Sequence, residues 1–290
     1  MPMRPNERIV QANGVDLCIE AFGDPADPAI LLIGGAAASM DWWEDEFCER
    51  LAQGPRFVIR YDNRDTGRSV AYEPGEPRYT GLNLVADAIG LLDSLGLARA
   101  HLVGISMGGG IAQRAALDHP DRVATLTLIS TTAIGPDRPG SPDLPPMSDE
   151  VRASFADPPS EPDWSDRAAV IDYTVDGMHP FAGPRTYDDA HLRELAGRIF
   201  DRTTNVASSM TNHWILDEGE PLRRPVADVA APTLVMHGTD DPLFPYGHGV
   251  ALADAIPGAR LVALEQTGHE LPPPAWDVAV RAILRHTELR

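Results

Sequence analysis

The sequence predicts an α/β fold: a mostly parallel eight-stranded sheet flanked by helices and interrupted once by a helical cap insertion. Three observations carry this prediction. Short apolar runs at 29–33, 56–61, 101–105, 123–130, 232–238 and 260–264 have the length of buried strands. Segments with helical spacing separate them, the alternation that crossover connections produce. One stretch, 134–227, breaks the alternation, so 1–133 and 228–290 read as one core and 134–227 as an inserted cap.

Taken in order, residues 7–22 read as two strands around Asn13-Gly14, a hairpin signal. After the Asp24–Pro28 turn, Ala29-Ile30-Leu31-Leu32-Ile33 is a continuous apolar run of the kind buried on both faces of a parallel sheet. A loop of small residues, 34–39, leads into a helix expected over 41–53. The strand 56–61 ends in Asp62-Asn63-Arg64-Asp65-Thr66-Gly67-Arg68-Ser69, where Arg64 and the two carboxylates are expected to brace the loop. A helix over 82–95 is expected to bury Leu82, Val85, Ala86, Ile89, Leu92 and Leu95. The strand 101–105 then runs through Ser106 into a helix, and 123–130 is the next strand.

Residues 134–163 are dense in proline, serine and aspartate, and helical patterns follow at about 164–178, 188–202 and 205–217. The strand 232–238, a helix over 247–255, the strand 260–264 and an amphipathic helix from about 274 to 287 complete the chain.

Composition narrows the chemistry. At 290 residues and 43% hydrophobic, the chain can bury a full core. A net charge of −19 argues against nucleic acid and anionic membrane as partners. All 24 basic residues are arginine, which removes Schiff-base chemistry and a P-loop lysine. Cys18 and Cys48 are expected to be buried free thiols. Neither a leader peptide nor a spanning segment is apparent, so a cytoplasmic location is expected. No histidine pair has metal-ligand spacing with a matching carboxylate or cysteine, and no cofactor is expected.

The organising stretch is Gly104-Ile105-Ser106-Met107-Gly108, which fits a nucleophile elbow: a strand, a turn too tight for side chains, then a helix. The helix aims its positive N-terminus at the serine, where negative charge would develop in acyl transfer. Ligands in open α/β sheets bind at the carboxyl ends of the strands, so partners of Ser106 are expected on those loops. Asp241-Pro242 follows one strand and Gly268-His269 another, giving the chain order Ser106, Asp241, His269. Asp240 competes as the acid; Asp241 is preferred because it immediately precedes Pro242 at the turn leaving the strand. The oxyanion donors are expected to be the N–H groups of Met107 and of Ala36, in the unobstructed Gly34-Gly35-Ala36 run.

These motifs together resemble the α/β-hydrolase superfamily. Within it, the core is similar to the carboxylesterase family that includes aclacinomycin methylesterase. Asp24 to Pro28, Tyr61 to Ser69, Ala116 to His119, His248-Gly249, Ile256-Pro257 and Gly268-His269-x-Leu271-Pro272 carry that likeness. Gly34-Gly35 stands where many members have His-Gly. The resemblance implies ester hydrolysis of a small-molecule substrate, a methyl or short-acyl ester of an aromatic or polyketide-like compound, by a monomer or homodimer. An enol-lactonase or cofactor-free perhydrolase would use the same three residues. A proline-type aminopeptidase would need an acidic cap residue such as Glu218 or Glu220, and a non-catalytic ligand-binding protein is the remaining alternative. The pocket is expected to be apolar and lined by Gly35, Trp42, Phe181, Met210, His213, Trp214, Phe244 and Leu271.

Overall fold

The computed structural model describes residues 3–4, 6–136 and 142–288. Eight strands form one sheet: β1 (Glu7–Ala12), β2 (Val15–Phe22), β3 (Ala29–Ile33), β4 (Phe57–Tyr61), β5 (Ala100–Ile105), β6 (Val123–Ile129), β7 (Thr233–Gly238) and β8 (Arg260–Leu264). Their spatial order is β1-β2-β4-β3-β5-β6-β7-β8. Only the pairings of β2, with β1 and β4, are antiparallel. The first hairpin turns where expected: Ala12 faces Val15, and Asn13 and Gly14 both have positive φ, the backbone of a tight twisted turn.

Side-chain alternation along the strands divides the core in two. Leu31, Ile33, Ile59, Leu102, Leu126 and Val235 face one side, packed with α2 (Gly81–Ser94), α3 (Met107–Asp118) and α8 (Gly247–Ala255). Ile30, Leu32, Val58, Val103, Leu234 and Met236 face the other, packed with α1 (Asp45–Ala52) and α9 (Trp276–Thr287). Two helix details differ from expectation. The first helix starts at Asp45, after a short 3-10 turn at Met40–Trp42. The apolar buried face of α2 is Leu84, Val85, Ala88, Ile89, Leu91 and Leu92, because α2 packs against strand β1 and helix α3, leaving Leu82, Ala86 and Leu95 partly buried at its margin.

Between β6 and β7 the chain builds α4 (Asp149–Ala156), α5 (Arg167–Met178), α6 (Asp189–Arg202) and α7 (Val206–Thr211). Each begins on a side-chain cap, from Ser148, Asp166, Asp188 and Asn205 respectively. Helix α4 was not expected; proline-rich flanks hide its two turns. The pattern at 205–217 yields a shorter helix and a 3-10 turn, Asn212–Ile215. A small core of Ile171, Val175, Tyr187, Leu192, Leu195 and Ala196 holds α5 and α6 together, with Trp42 packed against it.

The inserted helices are tied to the sheet domain by charge. Arg202, 4% exposed, reaches Glu7 (2.6 Å), Asp41 (3.0 Å) and Asp62 (2.5 Å), all buried. Arg64 pairs with Asp87 of α2 through both nitrogens at 2.7 Å, rather than with its neighbouring carboxylates. Asp65 instead accepts from Tyr79, the Tyr72 N–H and Asn212. Cys18 and Cys48 are free and buried, and burial pushes the Cys48 thiol up to about 12. Among the described residues, no helix is long and apolar enough to cross a membrane.

Candidate active site

Strands β3, β5, β7 and β8 run parallel, so the loops leaving them open at one edge of the sheet. The chain order reverses between β3 and β5, which leaves a crevice at that edge. The elbow sits there. Ser106 adopts φ 52°, ψ −121°, a conformation sparsely populated by residues with a Cβ. Its N–H donates to the Ile129 carbonyl (3.0 Å) and its carbonyl accepts from Thr131 Oγ1 (2.9 Å), bonds that hold the strain in place. The flanking glycines are sterically required. A Cβ on Gly108 would fall 2.6 Å from the Gly34 carbonyl oxygen and nearer still to that of Ile33; one on Gly104 would fall 2.5 Å from the Gly108 carbonyl carbon.

Ser106 Oγ lies 2.9 Å from His269 Nε2, and His269 Nδ1 lies 2.9 Å from Asp241 Oδ2. The other Asp241 oxygen accepts the N–H groups of Leu243 (3.0 Å) and Phe244 (2.9 Å). Asp240 is exposed and bonded to Thr239. Burial alone would raise the Asp241 pKa, but the bonds from His237 and His269 and from the Phe244 N–H outweigh it. The carboxyl is held well below its ordinary range and is ionised at neutral pH.

His237 lies at the end of β7, where the sequence carries no signal of a role. Its Nε2 donates to the Phe244 carbonyl (2.6 Å) and lies 3.4 Å from Asp241 Oδ2. It therefore fixes the loop that presents the acid.

The loop 34–37 packs directly on the serine: a Cβ on Gly35 would sit 3.4 Å from Ser106 Cβ and 4.0 Å from its Oγ. Met107 is the first residue of α3, directly after Ser106, so its N–H has no intrahelical carbonyl to pair with.

The pocket residues divide. Phe181 and Phe244 flank the His269 ring, with centroids 6.3 and 5.4 Å away. Trp214, 56% exposed, stacks at a tilt on Phe155 (5.9 Å), which in turn meets Phe181 (6.0 Å). Aromatic rings thus run from the surface to His269. Phe155, on the unexpected helix α4, was missed because nothing in its proline-flanked surroundings signals a site. Met210 lies half-buried on α7.

Three of the expected lining residues have partners of their own. Leu271 belongs to the core beside Trp276, and its carbonyl accepts from Trp276 Nε1 and the Tyr187 hydroxyl. Trp42 sits edge-on to Tyr187 in the inserted helices' own core. His213 is buried with both ring nitrogens engaged. Leu271 and Trp42 pack in the neighbouring cores, whereas His213 is held by hydrogen bonds. Glu218 and Glu220 are exposed, beside the start of α2 and Arg114 respectively.

The segment 179–187 is stitched to the His269 loop. The His269 N–H donates to the Phe181 carbonyl (2.8 Å), and Glu270 accepts from the Gly183 N–H (3.1 Å) and Thr186 Oγ1 (2.6 Å).

Comparison with known proteins agrees with this architecture. Residues 28–273 match the family described as alpha/beta hydrolase fold. The chain is 34% identical over 97% of both lengths to a rhodomycin D methylesterase from Streptomyces sp. strain C5, and equally to one from Streptomyces peucetius. These alignments run through the inserted helices, whereas the sequence motifs of the resemblance lay in the core. Among solved structures, the enol-lactonase from Burkholderia xenovorans superposes with a TM-score of 0.73 at 25% identity, covering 97% of this chain and 100% of that one. A meta-cleavage product hydrolase from Pseudomonas fluorescens shares the fold with a TM-score of 0.73 at 21% identity, covering 97% of each chain. With most of its length matched by the family and two full-length relatives inside it, the chain belongs to the α/β-hydrolase fold family.

Proposed function

We propose that this protein hydrolyses carboxylic esters through an acyl-Ser106 intermediate. The observation that carries the reading is the continuous line Ser106 Oγ, His269, Asp241, with both links at 2.9 Å and each residue on a different loop of one sheet edge. As Oγ attacks the ester carbonyl carbon, His269 Nε2 takes its proton, and ionised Asp241 holds the Nδ1–H tautomer and stabilises the imidazolium. The Ala36 and Met107 N–H groups receive the negative oxygen of the tetrahedral intermediate. When that intermediate collapses, the alcohol departs with the proton from His269. A water molecule then attacks the acyl-serine, giving its proton to His269, and the acid leaves as the serine is restored.

The ester is read, first, as a methyl or short-acyl ester and, second, as one carried by an aromatic or polyketide-like compound. The two rhodomycin D methylesterases that match over 97% of their length support the first point. The second is supported by the rings of Phe155, Phe181 and Phe244, which a planar acyl group would stack against on its way to His269. Lactone opening is a second reading, favoured by the likeness to an enol-lactonase; a lactone is an internal ester, and the same steps open it.

The test is Ser106→Ala measured on p-nitrophenyl butyrate and on a panel of aromatic methyl esters and enol-lactones. The variant is expected to fold and to lose turnover by at least about 10³-fold. Undiminished turnover in Ser106→Ala would end the proposal, and a preference for lactones over methyl esters would move it to the second reading.

A further inference from the structure

We propose that His213, supplied by the inserted helices, is a positioning residue that holds the oxyanion loop in register with Ser106. The inference rests on the acyl-serine reading above, with Ala36 as one oxyanion donor.

His213 lies in the 3-10 turn that follows α7, far in sequence from the loop it touches. Its Nδ1 accepts the Ala37 N–H at 3.0 Å, and its Nε2 lies 2.8 Å from the Arg64 carbonyl oxygen. Both bonds exist together only in the neutral ring with its proton on Nε2. Burial pushes the His213 pKa down and keeps the ring in that form.

The bonded N–H matters because of where it sits. Ala37 has φ 58°, a left-handed conformation that a residue with a Cβ adopts reluctantly. The turn is closed on one side by the Ala38 N–H to the Gly35 carbonyl at 3.3 Å. Without an acceptor for its own N–H, Ala37 could relax, and the Gly35–Ala36 and Ala36–Ala37 peptides would rotate with it. Those peptides carry the proposed donor, and Gly35 packs close against Ser106.

Asn63 Nδ2 approaches the Gly34 carbonyl (3.4 Å) from the next loop, and His213 joins that same loop at Arg64. The adjacent Asn212 bonds Asp65 (3.0 Å) and accepts the Gly75 N–H (2.8 Å), so the turn bearing His213 is itself anchored. One side chain of the inserted helices thereby completes the scaffold of the oxyanion loop.

Three substitutions separate the two bonds. His213→Asn places an amide oxygen near the Nδ1 position and keeps an acceptor for Ala37. His213→Gln places an amide nitrogen near the Nε2 position and keeps only the Arg64 contact; His213→Leu keeps neither. Active sites are first titrated with a fluorophosphonate, so that kcat is expressed per reactive Ser106. The Leu and Gln variants are expected to lose on the order of 10²-fold in kcat with little change in KM, because a donor misplaced by about 1 Å acts on the transition state. The Asn variant is expected to retain most of kcat. Affinity for a trifluoromethyl ketone, whose serine adduct carries the same oxyanion, is expected to fall in parallel with kcat.

A role in folding alone predicts otherwise: lowered thermal stability with unchanged kcat per titrated site. That result, or an Asn variant as impaired as Leu, overturns the inference. Failure of the phosphonate to label Ser106 in the unmodified protein overturns the acyl-serine reading itself. Labelling of Ser106 with a flat His213 series refutes the positioning role alone.

Discussion

Replacing Arg202 by Met tests how the inserted helices are held to the sheet. The guanidinium is buried, with Glu7, Asp41 and Asp62 at 2.6, 3.0 and 2.5 Å. Removing one partner of a buried ion pair costs about 3–5 kcal/mol, because the charge left behind has no water to replace it. Here the loss is uneven. Asp41 keeps Arg4 at 2.6 Å and Glu7 keeps Arg68 at 3.4 Å, whereas Asp62 keeps the N–H groups of Met40 and Arg68.

Spread over 290 residues, with an unfolding entropy of about 2.1 cal/mol/K per residue, this cost lowers Tm by about 5–8 °C. The pH dependence follows from the charges. Burial opposes ionisation of Glu7 and Asp41, but the arginines overcome it and hold both below their ordinary range. Their stabilisation is therefore present above the unfolded pKa of about 4 and is lost as pH falls. Asp62 is pushed up by burial even with Arg202 present. Without Arg202 these carboxyls move upward, so the variant's deficit is largest at neutral pH and shrinks toward pH 5. Adding Asp62→Asn to the variant recovers part of it. Urea unfolding at pH 5, 6 and 7 measures the deficit. A loss under about 1 kcal/mol at pH 7, or one that does not shrink on acidification, refutes the reasoning.

Three further outcomes are expected. Asp241→Asn lowers kcat by on the order of 10⁴-fold through loss of tautomer control, while Asp240→Asn leaves it nearly unchanged, as assayed on p-nitrophenyl butyrate. Because the Asp241 carboxyl is held below its ordinary range, its contribution to stability persists above about pH 4 and is lost only as pH falls further. Denaturant unfolding of wild type and Asp241→Asn between pH 2 and 6 checks this: the gap between them should hold above about pH 5 and narrow as pH falls below about 4. Gly108→Ala, whose methyl would meet the carbonyls of Ile33 and Gly34, displaces the elbow from the oxyanion loop. It is expected to reduce phosphonate labelling of Ser106 far more than it reduces Tm.

Much of the architecture was legible because the signals are local. The apolar runs set the strands, the alternation set the parallel sheet, and Asn13-Gly14 set the hairpin. The loops bearing Ser106, Asp241 and His269 were findable for the same reason: each leaves a strand, and parallel strands deliver their ends to one edge. Helix α4 was hidden because two turns between prolines have too few residues to display a period.

The amino-acid sequence by itself determined the eight strands, the elbow and the order of the residues around it, since each is written in neighbouring side chains. Tertiary structure alone decided what the remaining polar and aromatic residues do. His213 and Leu271 read equally well as pocket residues, yet one ties the 34–37 loop to Arg64 and the other fills the core beside Trp276. His237 gains its place beside Asp241 because the chain turns back at Phe244, and Arg202 gains three carboxylates drawn from distant parts of the chain. The physical reason is range. Periodicity and turn chemistry act over a few residues, whereas the bonds from His213 to Ala37 and from His269 to Ser106 join groups more than a hundred residues apart.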